Sequence, residues 1–152
     1  MILLKNLKIF TMENSIIDKG CILIENGKII EISKSIENEN IENIYDLNGM
    51  IVTPGLIDAH CHLGLFEDAI GFEGTDVNEK SNPIMPELRA IDGINPMDRT
   101  FTEAISGGVT TVSTGPGSAN VIGGQFAIIK TYGNCIDKMI VREPSAVNNP
   151  LA

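Results

Sequence analysis

The sequence predicts an α/β chain in two parts, an all-β unit followed by a unit with parallel strands. Two observations carry this. Up to Val52, short apolar runs are separated by the tight-turn dipeptides Asn26-Gly27 and Asn48-Gly49, the signal of β-hairpins. Beyond Pro54-Gly55, a buried strand, a crossover containing a helix and a β-branched strand follow one another. A strand–helix–strand connection sets its strands parallel with a right-handed crossover.

The elements follow in order. Residues 2–10 alternate loosely (Ile2, Leu4, Leu7, Ile9) and form a first strand; 20–25 form a second, and Asn26-Gly27 turns it into a third over 28–32. Residues 33–43 are polar, acidic and Asn-rich, an exposed connection. Short strands follow at 44–47 and 50–52, on either side of Asn48-Gly49. Few residues are available for a core here, so the unit needs support from elsewhere. The strand at 56–62 comes next. Residues 63–97 mix Gly, Pro, Asn and acids without a clean period, a length of irregular chain that usually marks a functional lid or disorder. Asp98 is placed to cap a helix to Ser106 that carries Phe101, Ala104 and Ile105, and Gly107-Gly108 to close it. Residues 109–113 form a buried strand, 123–131 another and 139–142 a short one. Ser145 is placed to cap a new helix beginning near Ala146. No internal repeat is present.

Bulk composition bounds the function. The chain has 152 residues, 43% hydrophobic and 20% charged, an ordinary globular make-up. A formal net charge of -9 and the lack of a basic stripe argue against nucleic acid, whose phosphates need Lys and Arg. Three cysteines, Cys21, Cys61 and Cys135, are widely spaced and odd in number, which suits a reducing compartment better than a disulfide framework. The N-terminus lacks the charged leader, apolar core and cleavage site of a signal peptide. No apolar run approaches the roughly 20 residues that span a bilayer. These readings predict a cytoplasmic protein with no membrane partner.

The chemistry concentrates in Thr53-Pro54-Gly55-Leu56-Ile57-Asp58-Ala59-His60-Cys61-His62. Strand side chains repeat every two residues, so His60 and His62 share a face. Two imidazoles at the end of an apolar run make half of a metal site, although exposed strand pairs and hydrogen-bonded core histidines are commoner. They are the only histidines in the chain. Asp58 lies on the same face and either orients a ligand or makes a structural hydrogen bond. Cys61 points the other way, towards core packing.

The phrase Val52 to His62, together with Ser106-Gly107-Gly108-Val109-Thr110-Thr111-Val112, resembles the start of the amidohydrolase superfamily. The segments Gly115-Pro116-Gly117-Ser118-Ala119-Asn120 and Gly123-Gly124-Gln125 look most like its imidazolonepropionase-related members. The resemblance covers essentially the whole chain. It implies the N-terminal part of a (β/α)8 barrel preceded by a small β-sandwich unit: residues 1–53 as the sandwich part and 54–152 as the first strands and helices of the barrel. It implies His60 and His62 as metal ligands at the barrel mouth, for one or two divalent ions, zinc foremost. The implied activity is hydrolysis of a cyclic or other non-peptide C–N amide bond in a small molecule by metal-activated water. A metallo-dipeptidase or deacetylase on the same scaffold, or a non-catalytic truncated barrel acting as an interaction module, are the alternatives.

The family's remaining ligands, further histidines among them, lie on later strands, and such a barrel takes about 250 residues. The expectation is therefore a natural protein longer than this chain, with no catalytic residue inside it and no activity of its own. Exposed edges and apolar faces then predict self-association and a homo-oligomer. The Gly-rich stretch from Gly115 to Gln125 has no Gly-Lys-Ser/Thr ending and no Lys or Arg, so it reads as a rim loop rather than a phosphate cradle. Asn120 and Gln125 are the candidates to hydrogen-bond substrate, with turn formation an equal explanation for Asn120. Glu67, Asp68, Glu73 and Asp76 read first as solvated loop charges, and second as contacts for a cationic substrate.

Overall fold

A computed structural model describes residues 1–13, 15–38, 40–67 and 70–149, and the chain divides into two compact units, Met1–Pro54 and Gly55–Ala152. Asp68 lies outside the described residues.

The first unit is a sheet of five strands: β1 (Ile2–Phe10), β2 (Ile16–Glu25), β3 (Lys28–Ser33), β4 (Asn43–Asp46) and β5 (Ile51–Val52). Its order is β3-β2-β1-β4, with β5 also on β1. The β2–β3 turn is as its dipeptide dictates. Asn26 and Gly27 both take positive φ, 49° and 73°, the requirement of the turn whose twist matches its strands.

β1 does not keep one face. Leu3 joins Cys21 and Leu23 in one apolar cluster, whereas Leu4, Leu7 and Ile9 join Ile22 in another. Adjacent residues of β2 point to opposite sides, so the two clusters lie on the two faces of the sheet. The switch occurs at a register shift between Leu4 and Leu7. There Asn6 sits at φ 58°, an extra residue of the bulge type, in the left-handed region that Asn tolerates. Simple alternation over 2–10 misses this.

The second unit holds β6 (Leu56–Cys61), α1 (Ala90–Gly93), α2 (Arg99–Ser106), β7 (Val109–Thr114), β8 (Gln125–Lys130), α3 (Ile136–Met139) and β9 (Ile140–Val147). The sheet order is β6-β7-β8-β9. β6 and β7 are parallel, as a crossover through α2 requires, and β7, β8 and β9 run antiparallel. Asp98 caps α2 by accepting from the Thr100 backbone N–H at 2.9 Å, an Arg99–Glu103 ion pair of 3.0 Å spans one turn, and Gly108 leaves the helix at φ 84°. Phe101 is the buried residue of α2.

Three sequence expectations are corrected. Asn48-Gly49 turns the chain but closes no hairpin, since β4 and β5 both run parallel to β1. No helix starts at Ser145: residues 140–147 form β9, whose Ala146 and Val147 pair with Phe126 and Gln125. A cap-like Ser followed by Ala is weak information, and pairing with the open side of β8 overrides it. The described part of 63–97 is also not disordered. Leu65, Val77 and Ile94 are buried with Phe101, Val112 and Ile129 in the main core, so scattered apolar side chains without a period anchor this irregular chain. Among the described residues, no helix is long and apolar enough to cross a membrane.

Candidate metal centre

β6 and β7 end side by side, and the candidate site is built where they end. Leu56 pairs with Val109 and Cys61 with Thr114. Residues 60–62 and 114–115 therefore face each other across the two parallel strands. Gly55 allows the approach at the other end, since a Cβ there would run into the side chain of Thr110.

The histidine rings lie with centroids 5.4 Å apart and planes at 82°. Two imidazoles that share one tetrahedral ion, each at about 2.0–2.1 Å, have centroids about 5 Å apart. The spacing fits. The Nδ1 of His62 is 2.7 Å from the carbonyl oxygen of Gly115. A carbonyl only accepts, so Nδ1 carries the proton, and in the neutral ring the lone pair then resides on Nε2. A neutral imidazole with one nitrogen committed to a backbone carbonyl is the usual state of a histidine ligand. The donor set thus suits a divalent ion, as far as it goes. Among the described residues, no cluster of three or more His, Cys, Asp or Glu side chains forms around it.

Backbone contacts fix the segment that carries the pair. The Gly115 N–H donates to the Cys61 carbonyl at 3.3 Å, and the Leu65 N–H to the His62 carbonyl at 3.1 Å. The Thr114 hydroxyl, with no exposure to solvent, donates to the Leu63 carbonyl at 2.9 Å. Asp58 acts locally: its Oδ1 accepts from the backbone N–H of His60 at 3.1 Å, at a register irregularity between Asp58 and Cys61. Cys61 packs against the main core, and burial pushes its thiol pKa upward. Beneath the histidines lies Phe126, 3% exposed, its centroid 5.0 Å from that of His60 and 6.4 Å from that of His62.

Asn120 and Gln125 lie elsewhere in the rim. Asn120 is buried and donates its amide to the Asn82 carbonyl at 2.8 Å, and Gln125 donates to the Pro86 carbonyl at 3.0 Å. Asn120 in the loop after β7 and Gln125 at the start of β8 are thereby both tied to the 82–86 segment. That loop and the 76–93 stretch enclose a cavity of about 220 Å³ lined by Asp76, Glu79, Met85, Leu88, Asn120 and Gly124, among others, with neither histidine in its wall. Arg89, also in its wall, donates to both carboxylate oxygens of Asp92 at 2.8 and 3.1 Å. A further buried amide, that of Asn148, donates to the carbonyls of Pro116 and Gly117 at 3.0 and 2.8 Å. Thr114, Phe126 and Asn148 were not singled out in the sequence, and Gly115 was read only as the start of a rim loop. The one signal for them is that a glycine directly follows the strand parallel to the histidine strand.

No family model matches the chain. The amidohydrolase tasK of Hapsidospora irregularis is 38% identical over 115 residues, which make up 73% of this chain and 12% of that protein. A dihydroorotase of Enterococcus faecalis is 42% identical over 60 residues, 40% of this chain and 14% of that one. Among solved structures, an amidohydrolase from Thermotoga maritima MSB8 superposes with a TM-score of 0.86 at 39% identity, over 97% of this chain and 38% of that one. The chain thus spans well under half the length of these relatives. The chain has the mixed α/β fold of an N-terminal fragment of such an enzyme, and it belongs to the amidohydrolase superfamily, whose N-terminal portion it matches.

Proposed function

We propose that His60 and His62 are the first two ligands of a divalent metal centre in an enzyme that hydrolyses a non-peptide C–N bond, an amide or cyclic amide, of a small molecule. The observation that carries this reading is the His62 Nδ1 contact with the Gly115 carbonyl, which leaves Nε2 of His62 available beside the His60 ring. The relatives named amidohydrolase and dihydroorotase support the reaction class. When bound, such an ion supplies Lewis acidity and lowers the pKa of water; zinc suits a pair of imidazoles. The chain's own part is to hold the two rings at a fixed spacing. A histidine ligates only through an unprotonated nitrogen, so metal binding weakens on acidification. Two histidines are half of a four-coordinate set; on this reading further donors complete it in the whole enzyme, and the chain alone turns over no substrate. A small-molecule amide as the partner and a cytoplasmic setting belong to the same reading.

The test is made in the complete enzyme. Replacing both histidines with Ala abolishes zinc retention, read by elemental analysis, together with amide hydrolysis. Undiminished turnover and zinc content in that double variant would refute the assignment.

A further inference from the structure

We propose that Gly115 and Phe126 are positioning residues for the histidine pair, Gly115 through its carbonyl on His62 and Phe126 through its ring against His60. The inference rests on the reading of the two histidines as metal ligands.

A histidine can ligate through either nitrogen, and the partner of the other nitrogen selects which. For His62 that partner is the Gly115 carbonyl, at 2.7 Å. His60 is held by packing instead: its ring lies 5.0 Å from the Phe126 ring at an interplanar angle of 35°, and Phe126 is itself buried. The two devices share a residue. A Cβ on Gly115 would collide with the ring of Phe126, so the ring occupies space that only glycine leaves open. Glycine is needed here for that space and not for a left-handed backbone, since Gly115 has no positive φ. The carbonyl is held on target from both sides of His62, by the Gly115 N–H on the Cys61 carbonyl and by the Thr114 hydroxyl on the Leu63 carbonyl. A residue with a side chain at 115 must displace either the carbonyl under His62 or the ring under His60.

A purely structural glycine would not determine which nitrogen of His62 is protonated, and this separates the two roles. Long-range 1H–15N spectra of the metal-free, 15N-labelled complete enzyme at about pH 8, where histidine is neutral, report the tautomer; zinc chloride is then titrated in. We expect the Nδ1–H form for His62 in the unaltered enzyme and a mixture of tautomers in Gly115→Ala, with zinc affinity down by about 10–100-fold. Phe126→Leu keeps the His62 tautomer and loses zinc affinity. Gly115→Ala combined with Phe126→Ala gives the new methyl room, and so restores the His62 tautomer without restoring affinity. Should Gly115→Ala fail to fold, Phe126→Leu and the double variant decide the matter. An Nε2–H His62 in the unaltered enzyme, or zinc affinity equal in all variants, overturns the positioning role alone. If the tautomer is as expected but the imidazole signals do not respond to zinc, the metal reading falls, and this inference with it.

Discussion

Thr114 has no exposed surface and spends its hydroxyl on the Leu63 carbonyl. Thr114→Val keeps the shape and leaves that carbonyl without its partner, a loss worth about 1–3 kcal/mol. A shift in the urea midpoint measures it, and an unshifted midpoint would show that the hydroxyl contributes nothing. The same residue shows what the sequence could reveal of the site. His60 and His62 were legible because the ligand chemistry is in the side-chain type and the spacing in the strand period. Thr114 and Gly115 were not. Their contribution is a backbone carbonyl and a hydroxyl brought to position by the β6–β7 register, across more than fifty residues of chain. Asn120 and Gln125 were legible as polar groups, but their amides meet the carbonyls of Asn82 and Pro86, partners with no sequence signature.

The β2–β3 hairpin and α2 were readable because their signals are local. Asp98→Ala removes the cap of α2 and costs about 0.5–2 kcal/mol, with Asp98→Asn retaining most of it; thermal unfolding distinguishes the two. The bulge in β1 needed more than local information. Asn6 donates its amide to Asp46 Oδ2 at 2.7 Å, and Asp46 Oδ1 accepts from the Asn48 N–H at 3.1 Å. The bulge is thus braced by the end of β4. The hydrogen bond from Asn6, and next that from Asn48, hold the Asp46 pKa below its ordinary value. A depressed folded pKa adds stability that is present above the unfolded value and lost as pH falls through the folded one. Asp46→Asn therefore destabilises at neutral pH, and its difference from the unaltered chain shrinks on acidification below the carboxylate range. A constant difference in urea midpoint across the acid range would count against the brace. The Ser145 expectation failed for the matching reason: a cap signal is local, and a strand partner is not.

At the scale of the molecule, the division into an all-β unit and a unit opened by the parallel pair β6–β7 follows from the change of pattern at Pro54-Gly55, whereas the antiparallel addition of β8 and β9 does not. What the sequence left open is how 63–97 is ordered, since Leu65, Val77 and Ile94 enter the core at irregular intervals. β6 stands at the end of its sheet with Leu56 57% and Ile57 71% exposed, and Ile29 and Ile30 of β3 are exposed as well. Apolar edge strands recruit partners. Light scattering of the chain should show mass rising with concentration, and Ile57→Lys should reduce the effect. A monomer at every concentration would remove this expectation.

Asn148 gives the second unit a minimum length. Its amide holds the carbonyls of Pro116 and Gly117, and its backbone exchanges hydrogen bonds with Gly123 and Gly124, so the rim that begins at Gly115 is pinned from the far end of β9. Anyone trimming this unit, or grafting it onto another scaffold, must carry the chain through residue 148. A shorter graft keeps both histidines but releases the loop beside them.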